Sequence, residues 1–168
     1  MARQDVEMSI VSYSNAICAC ERSAEWRHAL DLIAGMAQAR VDADTIACNS
    51  AVSACAKAGS WEAAFDLLAG MAARSLEADT VTHNAAISAC DNGGQWEKAL
   101  GLYNAMPRAR VDRTAITYNA AIRACGQEGK WMHALQVVED MALRRVAAGG
   151  RTHAVLARAP RAPRAPRR

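Results

Sequence analysis

Apolar positions fall at helical spacing in short blocks along the chain. Tyr13, Ala16, Ile17 and Cys20 step i, i+3, i+4, i+7 and so share one face of a helix. Thr117, Tyr118, Ala121, Ile122 and Cys125 repeat the pattern near the other end. Gly-containing triplets break the blocks at Ala58-Gly59-Ser60, Gly93-Gly94-Gln95 and Glu128-Gly129-Lys130. A glycine just past a helical run supplies the left-handed residue that caps a helix C-terminus. A second block follows, with Trp26, Ala29, Leu30 and Ile33 on one face and Met36 near its end. The pattern predicts antiparallel helix pairs, whose small Ala faces allow close approach.

The pairs recur every 35 residues, as the columns Trp26, Trp61, Trp96, Trp131 and Met36, Met71, Met106, Met141 make plain. Ala29, Ala64, Ala99 and Ala134 keep the same step, as do Asn49, Asn84 and Asn119, with Ser14 in the fourth place. The predicted fold is all-α, an α-α superhelix (solenoid) of helix–turn–helix repeats at 10–44, 45–79, 80–114 and 115–149. One pair cannot bury its apolar face alone, so neighbours must stack. The Trp column, at about 200 Å² per ring, is expected to be the bulky part of the core. Met1 and Val6 stand one period before Met36 and Val41, so residues 1–9 read as the remnant of a preceding repeat. Arg151-Thr152-His153 echoes the start of a fifth repeat and dissolves into Ala-Pro-Arg triplets. Proline forbids continued helix there, so 150–168 reads as a disordered Arg/Ala/Pro-rich tail.

Composition narrows the chemistry. No stretch approaches the roughly 20 apolar residues of a membrane span, and no basic-then-apolar leader opens the chain. Six arginines, Arg151, Arg158, Arg161, Arg164, Arg167 and Arg168, leave 14 basic against 17 acidic residues elsewhere, so the repeat body is acidic. A uniformly basic nucleic-acid binder is excluded, and any RNA contact must come from local patches. Four of the six cysteines, Cys20, Cys55, Cys90 and Cys125, fill one slot once per repeat, which marks a small buried hydrophobe in a reducing compartment. His28, His83, His133 and His153 lack metal-ligand spacing, and neither a C-x-x-C pair nor a phosphate loop occurs. No catalytic residue, metal, cofactor, membrane or small-molecule substrate is expected. The chain reads as a binding protein.

Thr117-Tyr118-Asn119-Ala120-Ala121-Ile122 and Thr82-His83-Asn84-Ala85-Ala86-Ile87, with Ala29-Leu30, Ala99-Leu100, Ala134-Leu135 and the Met column, resemble the pentatricopeptide repeat family across residues 1 to about 149. The Trp that opens the second helix and the Cys slot depart from the family pattern. The resemblance implies one base of single-stranded RNA per repeat, in organellar RNA processing (mRNA processing included), stability or editing. It implies a chloroplast or mitochondrion as the compartment, and other RNA-processing proteins as further partners.

Two slots carry the base choice in such proteins. One is the polar residue early in the first helix, here Ser14, Asn49, Asn84 and Asn119. The other is the last residue of the repeat, here Asp44, Asp79, Thr114 and Gly149. Independently of the family, Asn offers donors and an acceptor to a base edge, though it also suits a helix N-cap. Val11, Ile46, Val81 and Ile116 match the slot that sandwiches the base, and they also suit inter-repeat packing. Arg22 and Lys57 match a phosphate slot that Asn92 and Gln127 fill later. Two other readings stand beside RNA binding: a tetratricopeptide-like scaffold for peptides, and a non-functional fragment of a longer repeat protein.

Overall fold

The computed structural model describes residues 2–146, with side chains from Ile10 onward; Gly149 and the Arg/Ala/Pro tail lie outside the described residues. The described residues form eight helices and no strand: α1 Ala2–Ser23, α2 Trp26–Gln38, α3 Thr45–Ala58, α4 Trp61–Ala73, α5 Thr80–Asn92, α6 Trp96–Ala105, α7 Ala115–Gln127 and α8 Trp131–Leu143. None of them is long and apolar enough to cross a membrane.

Local chemistry sets these bounds. Gly59, Gly94 and Gly129 take φ of 70°, 68° and 67° just after α3, α5 and α7, which frees the chain to turn back. Ala24 holds the same place after α1 at φ 58°. A second left-handed residue follows each second helix: Arg40, Ser75, Arg110 and Arg145. Pro107 stops α6 at ten residues, the shortest of the eight.

Each first helix packs on its own second helix, and the first helices α1, α3, α5 and α7 pack on one another in chain order. Each of α2, α4 and α6 also packs on the next first helix, whereas successive second helices meet only through side chains. The first helices therefore form one continuous layer, termed the inner layer.

The interface between layers is built from Ala, Cys and Met. Met36, Met71, Met106 and Met141 are buried, as are Ala29, Ala64, Ala99 and Ala134, and Cys55, Cys90 and Cys125. The tryptophans differ from expectation: all four are only half-buried. Each stands at the first residue of its helix, and at Trp61 and Trp96 the next repeat places a side chain against the ring. Charged or polar groups meet the ring instead. Lys98 Nζ lies 3.4 Å from the Trp61 ring centre, and the His133 ring 5.0 Å from that of Trp96. Lys98 and His133 are one period apart, so the middle two tryptophans are met from the same place in the next repeat; one period earlier stands Ala63, and Trp26 is met by Arg27 of its own helix.

Residues 2–9 continue α1 toward the N-terminus, whereas their partners one period later, 37–44, leave α2 and enter the turn before α3. The segment Arg3-Gln4-Asp5-Val6-Glu7 contains neither Gly nor Pro and favours helix.

Candidate functional site

The inner layer presents one side chain of each kind per repeat. Val11, Ile46, Val81 and Ile116 are 58%, 65%, 57% and 64% exposed, a regular apolar ridge left uncovered by inter-repeat packing. Val81 and Ile116 line one shallow depression of about 290 Å³ with Asn84, Ser53, Lys57 and Glu21.

The polar slots lie beside this ridge. Asn49 is half-buried in α3, Asn84 buried in α5, and Asn119 half-buried in α7. The cap role falls elsewhere. Asp44, Asp79 and Thr114 occupy the N-cap positions of α3, α5 and α7, and the Asp44 and Asp79 carboxylates accept from the backbone N–H of Ala47 and Thr82 at 2.7 and 2.9 Å. The asparagines come one helical turn too late to reach those orphan amides.

Residues 30 apart in sequence meet here. Asn49 Nδ2 donates to both Asp79 carboxylate oxygens at 3.4 Å, and Asn84 Nδ2 to Thr114 Oγ1 at 3.3 Å. Ser14 and Asp44 make no such bond: Ser14 Oγ is buried without a hydrogen-bond partner among the described residues, because the hydroxyl is shorter than an amide. Gly149, the counterpart of Asn119, lies outside the described residues. Burial pushes the Asp79 carboxyl up, but hydrogen bonds from Thr82 and Asn49 outweigh it and hold it below its ordinary value. It is an acceptor only at neutral pH.

The phosphate slot is partly occupied by the fold itself. Lys57 Nζ donates to the Glu21 carbonyl at 2.8 Å and lies 3.7 Å from the Glu21 carboxylate. One period later Asn92 Nδ2 donates to the Ala56 carbonyl at 2.7 Å. Both tie off the C-terminal end of the preceding first helix. Arg22 is exposed in the last turn of α1, and Gln127 is exposed at the end of α7.

Two features escaped the sequence reading. Thr82 and Thr117, also one period apart, reach across to Asn49 and Asn84. Arg123 pairs with Asp91 across α7 and α5, and burial raises the Asp91 carboxyl against the pull of that guanidinium. The Thr pair was visible as a column; the Arg123–Asp91 pair occurs once and left no periodic trace. No cluster of three or more metal-ligating side chains occurs among the described residues.

The pentatricopeptide (PPR) repeat family model matches residues 78–127, and the single PPR repeat model matches 46–76 and 116–146. The chain belongs to the pentatricopeptide repeat family. No curated protein matches it by sequence. Among solved structures, the PPR protein PPR10 in complex with an 18-nt psaJ RNA element superposes with a TM-score of 0.78 at 24% identity, over 89% of this chain and 22% of that one. PPR10 from maize gives 0.71 at 22% identity, over 88% of this chain and 21% of that one. The PPR domain of Arabidopsis thaliana protein-only RNase P 1, in complex with tRNA, gives 0.78 at 16% identity, over 88% and 78%. At these identities the likeness establishes the PPR solenoid fold. The chain spans about a fifth of the PPR10 chain.

Proposed function

We propose that this PPR chain binds single-stranded RNA along its inner face, one base per repeat, without a catalytic step of its own. The observation that carries the reading is the meeting of Asn49 with Asp79 and of Asn84 with Thr114 beside an exposed ridge of Val81 and Ile116. Paired donor and acceptor groups suit a base edge, and the branched side chains on either side suit its faces. The PPR10 and RNase P 1 domain structures that share the fold hold RNA. The family setting further suggests organellar RNA processing, stability or editing, in chloroplast or mitochondrion, alongside other RNA-processing proteins.

Carried over slot by slot, the family pairing reads G at Ser14 with Asp44, U at Asn49 with Asp79, and a pyrimidine at Asn84 with Thr114. Asn119 with Gly149 is assigned no base, because Gly offers no side chain. The chain runs with its N-terminus toward the RNA 5′ end. Each stacked base contributes about 1–3 kcal/mol, and ordering costs offset much of that, so the expected affinity is micromolar or weaker.

The test is Asn49→Thr. Beside Asp79 a hydroxyl in place of the amide shifts preference at that base from U toward G, measured by anisotropy on oligonucleotides that differ at one position. Equal affinity for every base, before and after the swap, would discard the RNA reading.

A further inference from the structure

An asparagine side chain is nearly symmetric in shape and opposite in chemistry at its two ends, one donating and one accepting. A half-turn of the amide swaps what a base would meet. A site that reads a base with Asn must therefore fix the amide, and nothing within Asn49 or Asn84 does so. The next repeat does. Thr82 Oγ1 donates to Asn49 Oδ1 at 2.5 Å, and Thr117 Oγ1 to Asn84 Oδ1 at 2.5 Å. Each hydroxyl is itself held, accepting from the backbone N–H of the N-cap residue at 3.2 Å from Asp79 and 3.0 Å from Thr114. Both threonines are fully buried, so water does not compete for the bond. The Asp79 carboxylate, 2.9 Å from Thr82 Oγ1, draws on the same proton, yet it also demands the donor end of Asn49 and so favours the same amide orientation.

The first repeat is the contrast. Where Asn would stand it has Ser14, and where Thr would stand the next repeat has Ala47; the Ser14 hydroxyl is left without a partner among the described residues. Asn goes with Thr, and Ser goes with Ala.

We propose that Thr82 and Thr117 are specificity-determining positioning residues: each holds the Asn amide of the preceding repeat by its oxygen, so that its NH2 end stays turned toward Asp79 or Thr114, on the side where a base would be read. One base is then read by three residues drawn from two repeats. The proposal rests on the RNA reading above and adds a residue type to it.

The experiment uses the full chain and single-stranded RNA octamers of sequence AAGNUAAA, with N either U or C. Thr82→Val keeps the side-chain shape and removes the hydroxyl. Preference for U over C at N falls about fivefold, the worth of one hydrogen bond, while preference at the following base, opposite Asn84, stays as it was. Thr82→Ser restores it. A helix-cap role alone would lower stability without moving that ratio, so an unchanged ratio in Thr82→Val overturns the proposal. A second readout needs no RNA: the side-chain NH2 signals of Asn49 in the free protein shift in Thr82→Val and return in Thr82→Ser. Unchanged signals overturn the lock even if RNA never binds. A wild-type chain blind to U and C overturns the RNA reading and the specificity role with it, while the NH2 signals still decide the positioning. If Thr82→Val fails to fold, the lock is built anew: Ser14→Asn with Ala47→Thr gives sharper U over C preference at the first base than Ser14→Asn alone. Equal preference in the two overturns it.

Discussion

At the scale of single residues, burial separates side chains that share a column from those that act. Cys55, Cys90 and Cys125 are fully buried, and burial pushes each thiol up to about 11. Thiolate is the reactive form, so these three stay inert at neutral pH. Alkylation of the native protein should label only Cys18 and Cys20, with all six labelled after denaturation; mass mapping decides. Rapid native labelling of Cys90 would mean that α5 and α7 separate readily. Trp61 calls for a similar adjustment. A fully buried aromatic truncated to Ala costs about 3–5 kcal/mol. Half-buried under Lys98, Trp61→Ala belongs near the lower end, measured by urea denaturation.

Between elements, close backbone approach and one polar cluster set the joints. A Cβ on Gly93 would lie 2.7 Å from the Gly59 carbonyl oxygen and 2.8 Å from Trp61 Cδ1, so two repeat turns meet there with no room for a side chain. Gly93→Ala should cost about 1–3 kcal/mol through overpacking, whereas at Gly70, where a Cβ meets nothing, Ala should stabilise slightly. Melting temperatures of the two variants test the contrast. In the last repeat Asp140 gathers Tyr103, Tyr118, Arg113 and Arg144 between α6, α7 and α8. Burial pushes its carboxyl up, but the Tyr103 hydrogen bond and the two guanidiniums outweigh that and hold it at about 2, against 3.8 unperturbed. A depressed carboxyl stabilises the fold above the unfolded value and loses that contribution as pH falls through the folded one. Asp140→Asn should therefore be less stable than wild type at neutral pH, with the gap closing as pH falls from about 4 toward 2. A gap constant with pH would remove the charge from the explanation.

Over the whole molecule, two clusters of buried residues lie in series along the solenoid and share Trp61 and Leu102 at their border. Each repeat leans only on its neighbours, so stability is close to a sum of local and interface contributions. Charge is divided along the chain as well, with an acidic body and six arginines in the last eighteen residues. Deleting 151–168 should leave the helical circular dichroism unchanged and weaken RNA binding equally for every sequence, with a shallower dependence on salt. Loss of base preference on deletion would place the reading surface in the tail.

The sequence by itself determined the period, the helix pairs and the turns, because these depend on contacts within a few residues. Apolar spacing selects a helix face, Gly59, Gly94 and Gly129 release the chain, and Pro107 stops α6. It also placed the Asn column and its distant counterparts, through the family pattern. What those residues touch was decided by the tertiary structure. The offset of one repeat against the next sets whether Asn49 reaches Asp79, whether Thr82 reaches Asn49, and whether Lys57 is drawn to the Glu21 carbonyl. It also leaves the tryptophans half-exposed. Hydrogen bonds between residues 30 or more apart depend on the angle and spacing of packed helices, which no local pattern encodes.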